Sequence, residues 1–171
     1  MSNDLKKLIF AILGFSILLR IMKSTTPGTS LTDLVKKFEG ASLKAYRDIS
    51  GIWTIGYGLT SYPDGKKVAQ GDTITQEQAD TYFQQVLQKF AQGVEDSVKV
   101  PVNNNQFAAL VSFAYNVGLG AFRKSTLLKK VNANPKDESI RAEFMKWINA
   151  GGKPSRGLTN RRKIESDLYF S

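Results

Sequence analysis

Apolar positions near the start of the folded region repeat at helical spacing. Leu31, Leu34, Val35 and Phe38 fall on one face of a helix, and a capping-box pattern beginning at Ser30 precedes them. The sequence therefore predicts a short helix that ends near residues 39–40.

The segment from Ile52 to Gly58 has a different character. It consists mainly of β-branched and aromatic residues between two glycines, which favours a strand in a small sheet. Turn residues follow at positions 63–65, and Lys67 with Val68 could return as the second strand.

Capping residues and glycines predict helices for the remainder of the chain. The expected helices span residues 75–98, 103–117, 125–131, 137–150 and 159–170. A small β-containing lobe thus precedes a larger helical lobe, which makes the predicted fold class α+β and mainly helical.

The first 23 residues form a separate segment. Lys6 and Lys7 precede an apolar run from Leu8 to Leu19, which Arg20 interrupts. Twelve helical residues span about 18 Å, well short of a hydrocarbon core of roughly 30 Å. We expect residues 1–23 to form an uncleaved, weakly held signal anchor or an interfacial helix; a terminal helix packed on the domain is the alternative. Residues 24–30 resemble a linker, and residues 31–171 form the folded domain.

Composition restricts the available chemistry. The 171 residues include no Cys and no His, which excludes imidazole-dependent triads, thiolate metal sites and disulfides. An enzyme with this composition takes its acid and base from carboxylates, Lys or Tyr. The sequence therefore indicates neither a metal nor a cofactor.

Positive charge is concentrated at the C-terminal end. Residues 121–171 hold twelve Lys and Arg against five Asp and Glu, in a chain with a net charge of +9. Arg161, Arg162 and Lys163 lie together on the last predicted helix. They are expected to form a solvated basic face, which would suit an anionic polymer.

Two carboxylates and a hydroxyl lie in unusual settings. Glu39 ends the first helix, Asp48 precedes the predicted strand, and Thr54 lies within it, facing away from Trp53 and Ile55. A helix end, a loop and a strand could bring these three side chains together. Each also has an ordinary alternative, as a helix-surface residue, a loop cap and a β-former.

Three blocks of the chain carry a family resemblance. They are residues 39–58 (EGASLKAYRDISGIWTIGYG), 112–128 (SFAYNVGLGAFRKSTLL) and 147–165 (WINAGGKPSRGLTNRRKIE). In this order they resemble the phage-type lysozymes, glycoside hydrolase family twenty-four, over about residues 30–170. The resemblance implies a lysozyme-like fold with an active-site cleft between its two lobes.

The same resemblance implies a peptidoglycan muramidase. In this family the enzyme hydrolyses the β-1,4 bond between N-acetylmuramic acid and N-acetylglucosamine. By position, Glu39 matches the general acid, Asp48 the second carboxylate, and Thr54 the hydroxyl that helps to place the attacking water, with inversion as the expected outcome. We expect a monomer that acts on bacterial peptidoglycan without cofactor, metal or nucleic acid.

Other positions match residues of the family less directly. The positions that match residues lining its glycan groove are Thr60, Tyr115, Ser125 and Arg141. Leu59 stands where family members usually have a structural His. We expect an apolar contact there in place of an ion pair, with activity retained.

Several alternatives remain open at this point. A lytic transglycosylase would need the acid without a water-placing carboxylate, and a non-catalytic peptidoglycan-binding module would need neither. A cationic nucleic-acid binder or membrane-disrupting protein would use the basic C-terminal third instead.

In some endolysins resembling this chain, a signal anchor holds the enzyme inactive at the inner membrane. Residues 5–23 could associate with the host inner membrane in this way and place the protein there or in the periplasm.

Overall fold

The computed structural model describes residues 30–48 and 51–171. The predicted anchor segment and nearly all of the predicted linker lie outside the described residues. The elements are, in chain order, α1 (Leu31–Glu39), β1 (Ser42–Arg47), β2 (Trp53–Gly56), α2 (Gln76–Ser97), α3 (Asn104–Val117), α4 (Leu119–Lys124), α5 (Thr126–Ala133), α6 (Ile140–Met145), β3 (Asn149–Ala150), β4 (Lys153–Pro154) and α7 (Arg156–Tyr169). The predicted class, α+β and mainly helical, is confirmed.

Two compact units divide the described chain. We call residues 32–89 the sheet unit, and residues 90–171 together with residues 30–31 the helical unit. The sheet unit contains α1 from Thr32 onwards, the β1–β2 hairpin and most of α2; the helical unit contains the end of α2 and every later element. None of helices α1–α7 combines the length and apolarity that a membrane crossing requires.

The predicted strand is present, but its predicted partner was wrong. β2 pairs antiparallel with β1, with Tyr46 opposite Thr54 and Arg47 opposite Trp53. Lys67 makes only an isolated bridge to Ser61. The residues of β1 are mostly exposed, so β1 lacks the alternating apolar pattern that would have revealed it.

The core of the sheet unit lies against one face of this hairpin. The buried residues of this cluster are Ile55, Leu59 and Val68, and the partly buried Trp53 packs against them. Leu59 is 4% exposed and exchanges two backbone hydrogen bonds with Ile55. The position where the family usually has His is therefore filled by an apolar core contact, as expected.

The two capping boxes predicted their helix starts correctly, whereas the last helix begins at Arg156, before the predicted residue 159. The Thr75 hydroxyl accepts from the Gln78 amide while the Gln78 side chain accepts from Thr75 N–H, and Asn103 and Gln106 form the same reciprocal pair. α3 ends at Val117 and is capped by Gly118, as predicted.

The helix predicted over residues 137–150 was wrong in extent. Only Ile140–Met145 is helical, and the chain then forms the short β3–β4 hairpin. Gly151 and Gly152, with φ of 57° and 79°, supply the left-handed backbone of its two-residue turn. A turn of this kind competes with continuation of the helix.

A buried charged cluster joins α7 to α3. Glu165 accepts hydrogen bonds from the Ser112 hydroxyl at 2.7 Å and Arg161 Nε at 3.0 Å, and its other oxygen lies 3.0 Å from Arg162 Nε. Arg162 also donates to Asn116 Oδ1 at 2.8 Å. Arg161 and Arg162 are 5% and 0% exposed, so the expected solvated basic face is wrong for these two residues. Their guanidinium groups form ion pairs and hydrogen bonds inside the helical unit.

A second polar cluster joins α1 to α2 inside the sheet unit. Lys36 Nζ lies 2.5 Å from Asp80 Oδ1, which also accepts from the Tyr57 hydroxyl at 2.9 Å and from Gln76 Nε2 at 3.1 Å. Lys36 Nζ lies 5.0 Å from the centre of the Tyr57 ring. The hydrogen bonds from Lys36 and Tyr57 hold the pKa of Asp80 below its usual value.

We expect Glu165→Gln to destabilise the protein strongly. The change leaves two buried guanidinium groups without a carboxylate, a situation that costs roughly 3 to 5 kcal/mol. Urea unfolding followed by circular dichroism measures the loss. Glu138→Gln is the matched control, because Glu138 pairs with Arg141 but is 73% exposed; its cost should stay below about 1 kcal/mol. Equal losses in the two variants would contradict the structural importance of the cluster.

Asp80→Asn should lower the melting temperature at neutral pH by a few degrees at most. Both partners are partly solvated, so the pair is worth below about 1 kcal/mol. Because the folded pKa of Asp80 lies below the usual value of 3.8, its contribution is complete above about pH 4 and disappears as the pH falls through the lowered pKa. The difference in melting temperature between the variant and the wild type should therefore become smaller at acidic pH. A difference that is constant from pH 7 to pH 2.5 would contradict this account.

Candidate active site

Glu39 is the last residue of α1, and its carboxylate lies close to the turn that follows β2. Its carboxylate lies beside Gly58, where an added Cβ would come within 3.2 Å of Oε2. Gly58 has a φ of +84°, so a side chain there would be both strained and too close. Gly58 thus permits the close approach of the Glu39 carboxylate to the turn that follows β2.

Asp48 is fixed where β1 ends. Its amide donates to the Ile52 carbonyl at 2.9 Å, and its Oδ1 accepts from the Ile52 amide at 2.8 Å. The Gly51 amide donates to the Asp48 carbonyl at 2.9 Å. These bonds continue the β1–β2 ladder and set the direction of the carboxylate.

Thr54 lies two residue pairs further along the hairpin, opposite Tyr46. It is 3% exposed, and its hydroxyl donates to the Ile52 carbonyl at 3.1 Å. Because the hydroxyl proton is committed to Ile52, the oxygen presents its lone pairs as acceptors. Asp48 and Thr54 are therefore both anchored on the peptide groups of one residue, Ile52.

Tyr46 was missed as a site residue by the sequence reasoning. It is directly opposite Thr54 in the hairpin. The pKa of Tyr46 is raised, first by burial and then by the negative charges of Glu39 and Asp48. Tyr46 thus lies in the electrostatic field of both predicted catalytic carboxylates. Its spacing of two residues from Asp48 was the available signal, because alternate residues of a strand share a face.

The predicted catalytic residues and one predicted glycan residue fall in the sheet unit. Glu39, Asp48, Thr54 and Thr60 all belong to residues 32–89. Thr60 is half-buried, and its carbonyl accepts from the Val68 amide at 3.2 Å.

The other three predicted glycan residues lie in the helical unit, each in contacts of its own. Ser125 caps α5, accepting from the Leu128 amide at 3.1 Å. Tyr115 packs on Phe90 with ring centres 5.0 Å apart.

Arg141 makes ion pairs and an aromatic contact within the helical unit. It pairs with Glu138 at 2.8 Å and lies 3.5 Å from Asp167, and its guanidinium stacks on Phe170 at 4.2 Å. A role in glycan binding stays a prediction for Thr60, Tyr115, Ser125 and Arg141.

The helical unit also contains an open pocket of about 390 Å³. An indole, two amides and an amine contribute to its lining: Trp147, Asn116, Asn149 and Lys146, with Val117 and Leu158. Apart from Lys146, these residues lie in the family blocks, but the sequence did not predict a pocket. In the described ranges, no group of three or more acidic side chains could hold a metal ion.

Comparison with known proteins identifies relatives over most of the chain. Residues 36–165 match the phage lysozyme family profile. The endolysin of Bacillus phage PZA is 46% identical over 141 residues, covering 81% of this chain and 53% of the relative. The SAR-endolysin of Bacteriophage PS119 is 34% identical over 158 residues, covering 92% and 89%.

The fold has a solved counterpart as well. The endolysin from Escherichia coli O157:H7 phage FAHEc1 superimposes with a TM-score of 0.74 at 41% identity, covering 82% of this chain and 90% of that one. The chain spans about half the length of the Bacillus phage relative. The family profile, the relatives and the shared fold agree, and the chain belongs to the phage lysozyme family.

Proposed function

We propose that this protein is an endolysin that hydrolyses the β-1,4 bond between N-acetylmuramic acid and N-acetylglucosamine in bacterial peptidoglycan, for lysis of the host cell. The observation that carries the proposal is the arrangement of Glu39, Asp48 and Thr54 in a member of the phage lysozyme family. The names of its relatives, endolysin and SAR-endolysin, support the same activity.

Glu39 acts as the general acid. A glycosidic oxygen is a poor leaving group unless it is protonated as the bond breaks, so the carboxylic acid must be fixed beside it. The position of Glu39 supports this role, because Gly58 leaves room for its carboxylate close to the turn that follows β2.

Asp48 and Thr54 act on the water. The Asp48 carboxylate takes a proton from the attacking water, while the Thr54 oxygen accepts a hydrogen bond from it. The hydrogen bonds to Ile52 support these two roles. One fixes the Asp48 carboxylate, and the other uses the Thr54 hydroxyl proton, so that the oxygen can only accept from the water. Attack from the side opposite the leaving group inverts the anomeric carbon.

We further propose that residues 1–23 are a signal-anchor-like segment, residues 24–30 a linker and residues 31–171 the catalytic domain. The protein would be a monomer, held at the host inner membrane or in the periplasm and acting on the cell wall. The apolar run between Lys7 and Arg20 and the SAR-endolysin relatives support this arrangement.

Glu39→Gln should abolish peptidoglycan hydrolysis, with a fall in rate of at least 100-fold, because the amide cannot protonate the leaving oxygen. Release of reducing ends from purified peptidoglycan measures it. Glu77→Gln, an equal change in the exposed first turn of α2, should keep the wild-type rate. Full activity of the Glu39 variant would rule out the acid assignment.

The products separate the remaining alternatives. Hydrolysis with inversion gives new reducing ends whose anomeric form, followed by NMR during the reaction, is opposite to that of the bond cleaved. Ends carrying a 1,6-anhydro ring would instead indicate a lytic transglycosylase. Binding to peptidoglycan without soluble fragments would indicate a non-catalytic module.

Collapse of the membrane potential should move the full-length protein from the membrane fraction to the soluble periplasmic fraction of host cells. An apolar run of twelve residues is too short for firm anchorage. Arg20→Leu is the matched control: it extends the run to Met22, and the variant should stay in the membrane fraction. A wild-type protein that never enters the membrane fraction would contradict the anchor.

A further inference from the structure

One face of the β1–β2 hairpin brings together more than the predicted residues. Tyr46 is opposite Thr54, and the bond from the Asp48 amide to the Ile52 carbonyl continues the ladder by one further pair. Opposed residues share a face, and so do alternate residues along a strand. Tyr46 therefore projects from the same face as Asp48 and Thr54, whereas Trp53 projects from the other face into the core.

The exposure of Tyr46 argues against a packing role. Its side chain is 42% exposed, whereas Thr54 beside it is 3% exposed. A tyrosine that only filled the core would be buried, as Tyr57 is in the same unit at 7% exposure. Tyr46 therefore presents part of its surface to whatever occupies this face.

The charges around the phenol determine what its hydroxyl can do. Burial and the charges of Glu39 and Asp48 raise its pKa, so the phenol stays neutral at neutral pH. A neutral phenol donates a hydrogen bond but does not serve as a base. An aromatic ring with a polar tip is the kind of group that contacts a ligand with apolar and polar surfaces, such as a pyranose.

We propose that Tyr46 is a substrate-contacting residue of the glycosidase site, whose hydroxyl donates a hydrogen bond to an oxygen of the sugar bound beside Glu39 and Asp48. The inference rests on the proposed function and adds to it a fourth residue, outside the acid, the second carboxylate and the threonine. A hydrogen bond to a neutral acceptor is worth about a five- to tenfold change in an equilibrium or rate constant.

Two variants of Tyr46 separate the hydroxyl from the ring. Tyr46→Phe removes only the hydroxyl, and we expect it to lower kcat/KM on soluble peptidoglycan fragments about five- to tenfold. Tyr46→Ala also removes the ring and should lower kcat/KM further. Because Tyr46 is substantially exposed, the melting temperature of the Phe variant should stay at the wild-type value. If Tyr46 had only a structural role, activity would fall only together with stability.

A binding measurement tests contact with the sugar without turnover. In a Glu39→Gln background, adding Tyr46→Phe should raise the Kd for the same fragments about five- to tenfold, as measured by calorimetry. Tyr82→Phe is the matched control: it removes a phenol hydroxyl from the same unit, on α2, where the ring packs edge-on against Tyr62. It should change neither kcat/KM nor Kd by more than about twofold.

The outcomes are distinguishable. A Tyr46→Phe variant with kcat/KM and Kd within twofold of its parent, in a protein whose wild type releases reducing ends, overturns this inference alone. Equal losses in Tyr46→Phe and Tyr82→Phe overturn it as well, because the effect would not depend on position. A wild-type protein that releases no reducing ends overturns the proposed function, and the inference with it.

Discussion

The peptide groups of Ile52 hold the candidate site together. The amide of Ile52 binds the Asp48 carboxylate, and its carbonyl accepts from both the Asp48 amide and the Thr54 hydroxyl. The Ile52 side chain is 50% exposed, so the backbone and not the side chain carries this function. A one-residue slip in the pairing of β1 with β2 would turn every site residue on the hairpin to the opposite face. The register of two short strands is therefore the constraint on which the site depends.

Glu39 reaches the site from a different element, and its position has its own support. Gly58 allows the carboxylate to approach the turn after β2. One turn earlier on α1, Lys36 pairs with Asp80, and the same Asp80 oxygen accepts from Tyr57, the neighbour of Gly58. The cluster thus connects the helix that carries the acid with the turn against which the acid rests. An apolar residue at Leu59 is compatible with this arrangement, because the turn is fixed by backbone bonds to Ile55 and by core packing.

In the helical unit, the number of cationic residues in the sequence does not show whether their charges lie at the surface. Residues 121–171 carry a large cationic excess, and Arg161 and Arg162 look from the sequence like part of a basic surface. Both are buried against Glu165, with Ser112 and Asn116 completing the contacts from α3. Buried guanidinium groups require such partners, since an unpaired charge away from water is costly. Any cationic surface of residues 121–171 must therefore come from their other Lys and Arg residues.

The sequence by itself determined the features that depend on neighbouring residues. The capping boxes at Thr75 and Asn103 join residues three apart, so their helix starts could be predicted, and the motif of residues 39–58 was sufficient for the family resemblance. Tertiary structure decided the rest: β1 as the partner of β2, the early end of α6 and the burial of Arg161 and Arg162. It also placed Tyr46 on the face that carries Asp48 and Thr54. These features depend on which distant segments pair and which side chains lose water, and local spacing does not contain that information.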